Sequence, residues 1–269
     1  MRSGAATDTP STDGKYTVQI LARAIHVLGA LAGRVQGWSL DELGAELGIA
    51  KASLLRILRT LEDEGVVRRE ADLYFVGARV LDFSHGYLRG LELTRVARPL
   101  MEGLAQRTGQ TVSLAVRDDL EIVYVAIERA QQDIGIQGEI GARHPANATA
   151  LGKVLLADLD PADAAALFAG RDLVRLTHRT LTDPDALLRH LDVVRRQGYA
   201  VDDEERGIGI RCVAAPVRRA DGRAIGAISV AGPIFHMTED VLPRYRQWLL
   251  DATAQASARF GHPGALVEA

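Results

Sequence analysis

The only cysteine of the chain, Cys212, lies shortly after four consecutive carboxylates at 202–205. A thiol near acidic groups could be a catalytic nucleophile, a small buried residue, or one wall of a ligand pocket. A cysteine nucleophile needs a base, and none of the seven histidines forms a recognisable Cys-His signature with it. There is no His pair or Cys-x-x-Cys at metal-binding spacing, so no metal site is predicted. The sequence favours a non-catalytic thiol, with a cysteine-dependent hydrolase as the alternative.

Other segments could bring polar groups close to this thiol. A predicted hairpin over 211–232 has Cys212 at the start of one strand and Ser229 near the end of the other. The acidic run 202–205 lies on the loop that enters the first strand. A helix predicted over 148–159 begins with backbone N–H groups that have no helical partner, and such groups attract anions. The acidic run alone would be a solvated surface, but the combination predicts a small-molecule pocket.

A second set of residues could bind nucleic acid. The helix predicted from about Ala50 to Gly65 has an outward face with no acidic residue before Glu62. Lysine and arginine there can meet phosphates or guanine edges, and serine can contact either. Two adjacent arginines on the following hairpin could contact the DNA backbone. The alternative is a small helical domain with solvated charges. The predicted DNA-binding residues are Lys51, Ser53, Arg56, Arg59, Arg68 and Arg69.

Local signals predict the elements that carry these basic residues. Apolar residues recur at helical spacing over 20–31. Ser39 and Glu42 are spaced as a capping box at the start of a short helix, which Gly48 ends. A second helix follows, and then a β-hairpin over 66–76. Helix, glycine turn, helix and hairpin predict a winged helix-turn-helix, whose second helix would lie in a DNA major groove.

The chain is long enough for two domains, and the predicted fold class is α+β. The second domain is predicted to be an antiparallel sheet flanked by helices. Several apolar residues lie on a helix that joins the domains. They are candidates for a homodimer seam, with packing on their own subunit as the alternative: Val80, Leu81, Phe83, Tyr87, Leu88 and Leu91. The predicted organisation is a disordered leader over 1–14, a winged helix-turn-helix over 15–77, a linker helix over 78–95, the second domain over 96–262 and a tail over 263–269.

Composition bounds the classes of protein that this sequence can belong to. Of 269 residues, 47% are hydrophobic, which predicts a folded protein with a sizeable core. The formal net charge is −3, so contact with nucleic acid must come from a local basic patch. A single cysteine allows no internal disulfide and fits a reducing compartment. With no apolar signal segment and no run of about 18 apolar residues, a cytoplasmic protein without a membrane segment is expected.

Five segments, taken in order, resemble the IclR family of bacterial transcriptional regulators over nearly all of residues 16–260. They are VQILARAIHVLGAL, LDELGAELGIAKASLLRILRTLEDEGVV, ATALGKVLLA, GYAVDDEERGIGIRCVAAPV and AIGAISVAGP. The resemblance implies a winged helix-turn-helix joined by a linker helix to a GAF-like effector-binding domain. It implies homodimers or dimers of dimers that bind operator DNA and respond to small carboxylates or aromatic acids. It implies no catalytic residue and no cofactor.

The resemblance also implies contacts for the effector. Two residues at the start of the helix over 148–159 would supply backbone amide donors, and four side chains stand at or near contact positions. The implied effector-binding residues are Asn147, Ala150, Leu151, Asp202, Cys212 and Ser229. Ala231 stands where some relatives carry a second serine, so the pocket is less polar there. The hypothesis is a ligand-responsive repressor or activator of a catabolic operon, with a roughly palindromic operator.

Overall fold

The computed structural model describes residues 18–90, 92–129 and 138–263. The predicted leader over 1–14 and nearly all of the predicted tail lie outside the described residues, as does Leu91. The chain divides into two compact units, Met1–Tyr87 and Leu88–Ala269. No helix in the described ranges is long and apolar enough to cross a membrane.

The first unit begins with three helices, α1 (Gln19–Ala32), α2 (Leu40–Leu47) and α3 (Lys51–Asp63). The predicted capping box at α2 is confirmed, because the Ser39 side chain accepts from the Glu42 N–H and the Glu42 side chain accepts from the Ser39 N–H. Gly48 ends α2 in the left-handed region, with φ of 63°. A residue without a Cβ adopts this conformation at little cost, which allows the tight turn into α3.

A small antiparallel sheet completes the first unit. Its strands are β1 (Trp38–Ser39), β2 (Val67–Glu70) and β3 (Leu73–Val76), in the order β1-β3-β2. The core joins the inward faces of the three helices to this sheet: Val27, Leu31, Leu43, Leu54, Ile57, Leu58, Val67 and Tyr74. Three helices followed by a packed hairpin form the predicted winged helix-turn-helix.

Helix α4 (Val80–Gly90) follows the wing, and α5 (Glu92–Thr108) begins the next helix of the chain. Both helices overlap the segment over 78–95 that is predicted to link the domains, and residue 91 between them lies outside the described residues. Three large apolar side chains of α4 are strongly exposed: Leu81 at 61%, Phe83 at 60% and Tyr87 at 56%.

The second unit is built on a six-stranded antiparallel sheet with the order β6-β5-β4-β9-β8-β7. Its strands are β4 (Thr111–Asp118), β5 (Glu121–Glu128), β6 (Arg143–Pro145), β7 (Ala200–Asp203), β8 (Ile210–Arg218) and β9 (Ala224–Pro233). The predicted hairpin over 211–232 is confirmed as the β8–β9 pair, which places Cys212 beside Ala231 and Ala214 beside Ser229.

Helices cover both faces of this sheet. One face packs against α6 (Ala150–Ala157), α7 (Pro161–Phe168) and α8 (Pro184–Gln197), and the other packs against α5 and α9 (Leu242–Arg259). Strand β8 shows the alternation: Cys212 and Ala214 join the first core, whereas Val213 and Ala215 join the second. Since successive side chains point to opposite faces, Cys212 faces α6.

Candidate functional site

The basic face of α3 lies opposite its buried face. Leu54, Ile57 and Leu58 pack into the core, as the helical spacing predicts. Lys51, Arg56 and Arg59 are exposed, and the predicted contact residue Ser53 is half-buried. The structure therefore brings the predicted basic residues of this helix onto one accessible surface.

The charges on this surface differ in their partners. Lys51 Nζ lies 2.6 Å from a carboxylate oxygen of Asp41 on α2. Arg56 and Arg59 have no carboxylate partner among the described residues. An exposed guanidinium without an internal partner keeps its donors for an external anion. These two arginines are the part of α3 that is best prepared to meet a phosphate or a guanine edge.

The two wing arginines are already engaged within the wing. Arg68 contacts the carboxylate of Glu70, and its guanidinium lies 4.4 Å from the ring centroid of Phe75. Arg69 donates from Nη2 to Asp72 at 3.1 Å. Both ion pairs are exposed, and exposed ion pairs contribute only about 0–1 kcal/mol. Contact with DNA would require these arginines to exchange their partners in the wing for phosphates, and the free-energy cost of losing the wing partners is small.

The second candidate site lies between α6 and the sheet. Two rows of side chains cross the strands on the face that packs against α6. The first row contains, from β7 to β4, Asp202, Cys212, Ala231 and Thr111. The second contains, on β8, β9 and β4, Ala214, Ser229 and Ser113. These rows place the predicted residues Asp202, Cys212 and Ser229 in one neighbourhood.

A cavity of about 20 Å³ lies between these rows and the start of α6. That volume holds about one water molecule. Five of the six predicted effector residues line this cavity. The other residues that line it are polar or small. The lining consists of Thr111, Ser113, Tyr124, Gly138, Thr149, Ala150, Leu151, Asp202, Arg206, Cys212, Ser229 and Ala231.

The start of α6 is held close to the preceding turn. The Thr149 side chain caps the helix by accepting from the Gly152 N–H at 2.9 Å. A Cβ at Gly152 would lie 2.2 Å from the carbonyl oxygen of Ala146, so only glycine permits this approach. Ala150 and Leu151, the first two residues of α6, line the cavity.

Asp202 is the buried carboxylate of this cavity, with no exposed surface. Its Oδ1 accepts from the backbone N–H of Glu205 at 2.8 Å and of Arg206 at 3.2 Å. Its Oδ2 has no hydrogen-bond partner in the described part of the chain. Burial raises the pKa of Asp202 to about 6, against the lowering effect of the Lys153 charge. Oδ2 is therefore an acceptor that a donor on a bound molecule could satisfy.

A buried ion pair lies behind this carboxylate. Lys153 of α6 is fully buried, contacts the carboxylate of Glu205 and donates to the carbonyl of Val201 at 2.6 Å. Removing one member of such a pair costs about 3–5 kcal/mol, because the other charge is left buried and unpaired. The pair therefore ties α6 to the segment that carries Asp202.

Cys212 is buried beside Asp202. Burial, and secondly the negative charge of Asp202, raise the pKa of the Cys212 thiol well above its ordinary value. The thiolate is the nucleophilic form, and this environment opposes its formation. No histidine is among the described residues that line the cavity. No group of three or more His, Cys, Asp or Glu side chains in the described ranges could hold a metal ion.

Asn147 occupies a different place from the one predicted. It is not among the cavity-lining residues, and its Nδ2 donates to the carbonyls of Val174 and Leu181, both at 2.9 Å. Both amide hydrogens are thus used to hold the segment between α7 and α8. This geometry assigns Asn147 a structural task rather than a donor to the cavity.

Several residues that line the cavity were not predicted from the sequence. Thr111 and Ser113 are two residues apart on β4. Because successive side chains of a strand point to opposite faces, a strand predicted to start at Thr111 would have placed both side chains on the same face. Thr149 has the side chain of a helix N-cap, which is also a readable signal. Tyr124 and Arg206 carry no such signal, because their positions depend on how β5 and the 204–209 segment meet across the sheet.

Comparison with known proteins identifies both units. The family described as the IclR helix-turn-helix domain matches residues 20–71, and the bacterial transcriptional regulator IclR C-terminal family matches residues 85–258. The regulator XynR of Escherichia coli K12 is 31% identical over 248 residues, covering 91% of this chain and 98% of XynR. The transcriptional repressor IclR of the same strain is 28% identical over 264 residues, covering 97% of this chain and 95% of that repressor.

Solved structures agree with the sequence comparison. The crystal structure of a transcriptional regulator from Rhodococcus sp. RHA1 has a TM-score of 0.79 and 31% identity, covering 91% of this chain and 99% of that chain. The α+β prediction, with its N-terminal helix-turn-helix and C-terminal antiparallel sheet flanked by helices, is confirmed. Both halves of the chain match one family in the expected order, and the chain belongs to the IclR family of bacterial transcriptional regulators.

Proposed function

We propose that this protein is a ligand-responsive repressor that binds operator DNA through α3 and senses a small acid in the second unit. The observation that carries the DNA-binding part is the exposed face of α3, on which Arg56 and Arg59 have no internal carboxylate partner in the described chain. In a winged helix-turn-helix, this helix enters the major groove. Lys51 and Ser53 support the same face, and Arg68 and Arg69 reach the DNA backbone after exchanging their wing partners.

The operator is roughly palindromic, because a homodimer presents two equivalent α3 helices. The exposed apolar residues of α4 support this assembly: large side chains at 56–61% exposure are costly to leave in water. The dimer seam proposed from the sequence comprises Val80, Leu81, Phe83, Tyr87 and Leu88, together with Leu91, which the structure does not describe. Of these, Leu88 is half-buried and packs against the core of the second unit. Two such dimers would form the larger assembly of the family.

Each of the two units has its own function in this proposal. The winged helix-turn-helix over 15–77 binds DNA, and the domain over 96–262 binds the effector. The segment over 78–95 connects these two domains. The cavity beneath α6 holds about 20 Å³, so even a small acid enters only after the walls move. A ligand that binds one arrangement of the walls better than another shifts the population between them. Such a shift is what a catabolic operon needs in order to respond to its substrate.

The effector is a small carboxylic or aromatic acid. Its carboxylate lies at the backbone amides of Ala150 and Leu151, where the positive end of α6 favours an anion. Asp202 would repel a second carboxylate, so its unpartnered Oδ2 accepts from a hydroxyl or N–H elsewhere on the effector. Cys212 and Ser229 line the space between, and Cys212 contributes shape more than polarity.

We do not propose an enzyme. A cysteine-dependent hydrolase would need a thiolate and a base, whereas Cys212 is a buried thiol whose pKa is raised by burial. An ester or amide of a bound acid should be recovered without hydrolysis after incubation with the protein. That result would agree with a binding role.

The DNA-binding part is tested by fluorescence anisotropy with DNA from upstream of the protein's own gene. The K51A/R56A/R59A variant should bind at least about tenfold more weakly, since each base or phosphate contact contributes on the order of 1–3 kcal/mol. The slope of log affinity against log salt should become shallower by about one unit for each lost phosphate contact.

The matched control removes the same charge from the second unit, with R196A/R219A/R223A. These three arginines are exposed and have no carboxylate partner in the described residues. The control should bind with nearly the wild-type dissociation constant. Equal losses in both variants would show that only net charge matters, and an unchanged affinity of the α3 variant would reject α3 as the DNA reader.

A further inference from the structure

One cation at the cavity wall lacks a carboxylate partner. Arg206 lines the cavity from the segment between β7 and β8. Its Nη2 lies 2.9 Å from Nε2 of His144, and its Nε is buried without a hydrogen-bond partner in the part of the chain that is described. An arginine normally satisfies such a donor with an anion or a carbonyl.

The neighbouring carboxylates are committed to other cations. Asp203 pairs with Arg211 at 2.7 Å, and Glu204 pairs with Arg179 at 3.2 Å. Glu205 pairs with the buried Lys153, as described above. The segment is rich in acidic residues, yet Arg206 forms no ion pair with any described carboxylate.

His144 does not compensate this charge. Burial, and secondly the Arg206 charge, lower the pKa of His144 to about 4. The imidazole is therefore neutral at physiological pH, and its Nε2 accepts a hydrogen bond from the guanidinium. The ring also packs edge-on against Tyr124, with centroids 5.5 Å apart. His144 thus holds Arg206 in place without neutralising it.

The same cavity contains the complementary unpartnered group. Asp202 Oδ2 is fully buried and has no donor in the described residues, so the cavity offers one free acceptor and one free cationic donor. A neutral, apolar molecule would leave both groups unsatisfied, which costs affinity. A molecule that bears an acid and a hydrogen-bond donor satisfies both.

We propose that Arg206 is a specificity-determining residue that selects acids over neutral molecules of the same shape, and that His144 is its positioning residue. This inference rests on the proposed function of the cavity as the effector site. The carboxylate lies between the Arg206 guanidinium and the amides at the start of α6, while Asp202 accepts from the hydroxyl or ammonium of the same molecule. The effector class is narrowed to short hydroxy or amino acids.

The test compares matched pairs that differ in charge but hardly in shape and that each carry a hydroxyl donor: lactate with lactamide, and glycolate with glycolamide. Calorimetric titration gives the acid-to-amide ratio of affinities for the full-length protein. In the wild type the acid of a pair should bind more tightly. Arg206→Gln should weaken acid binding by about tenfold or more and leave amide binding nearly unchanged, because only a charge-assisted hydrogen bond is lost.

Three further variants separate recognition from structure. Arg206→Lys keeps the charge and should retain part of the acid preference. His144→Leu should reduce the preference severalfold although it removes no proposed ligand contact, and His144→Gln should restore it by returning an acceptor. The matched control Arg179→Gln removes a guanidinium that is ion-paired outside the cavity and should leave the ratio unchanged.

A wild-type acid-to-amide ratio that persists in Arg206→Gln would overturn the role of Arg206 and leave the acid-binding function standing. A wild type that binds no acid in preference to its amide would overturn both, while the DNA-binding result stays independent. A preference lost in Arg206→Gln and partly kept in Arg206→Lys would support the inference.

Discussion

Asp202→Asn should stabilise this protein at neutral pH, although it removes a charged group from the proposed effector site. Burial raises the pKa of Asp202 from its ordinary 3.8 to about 6. A difference of roughly two pKa units corresponds to about 3 kcal/mol. The asparagine oxygen can still accept from the N–H groups of Glu205 and Arg206, and the unpartnered Oδ2 loses no hydrogen bond.

The sign of the pH dependence follows from proton binding. Between about pH 4 and pH 6, the native carboxyl still holds the proton that the unfolded chain has released, so the native state binds more protons. The contribution of Asp202 to the stability of the wild type therefore falls as pH rises through this window. Below it the carboxyl is protonated in both states, and the substitution is nearly neutral. Above it the ionised carboxylate destabilises the native state by up to about 3 kcal/mol.

The assay is urea unfolding of wild type and Asp202→Asn at several pH values. The advantage of the variant should grow by roughly 1–1.5 kcal/mol between about pH 5 and about pH 8. Asp203→Asn is the control, since it breaks ion pairs with Arg211 and Arg179 and should only lose stability. A difference between wild type and Asp202→Asn that stays constant with pH would refute this reasoning.

Three other outcomes are expected. Gly152→Ala should lower stability by about 3 kcal/mol or more, measured by urea unfolding, because the new Cβ would meet backbone atoms of Ala146; near-wild-type stability would contradict this packing. Lys153→Met should cost about 3–5 kcal/mol and the double variant K153M/E205L much less, which a double-mutant cycle checks; additive losses would argue against the buried pair. Binding of an amino acid should release protons near pH 6, because an ammonium that donates to Oδ2 is also a nearby positive charge and lowers the pKa of Asp202; titration in buffers of different ionisation enthalpy measures this, and Asp202→Asn should abolish it.

Local patterns in the sequence predict the first unit well. The Ser39–Glu42 capping box, the glycine turn at Gly48 and the 3.6-residue spacing of α3 each act over a few residues. They determine which side of α3 is buried, and hence which basic residues are exposed. The partners of Arg68 and Arg69 within the wing were not predicted. Glu70 and Asp72 lie two or three residues from these arginines on the same hairpin, and they compete with any external anion.

The effector site is only partly readable from the sequence. Cys212 and Ser229 belong to one hairpin, so their common face follows from strand alternation. The use of Asn147 to hold the carbonyls of Val174 and Leu181 depends on a contact 27–34 residues away. Arg206 likewise acquires its meaning from His144, which precedes it by 62 residues. Such long-range contacts decide whether a polar side chain is satisfied or free, and local patterns do not encode them.

The coupling between the cavity and DNA is tested most directly by one titration. The dissociation constant for upstream DNA is measured by anisotropy, without acid and with lactate or glycolate at a concentration that calorimetry shows to be saturating. The account predicts that the acid changes DNA affinity by about 5- to 150-fold, with a decrease for a repressor that its effector releases, and that Arg206→Gln requires more acid for the same change. An identical dissociation constant for DNA with the cavity empty and occupied would contradict it.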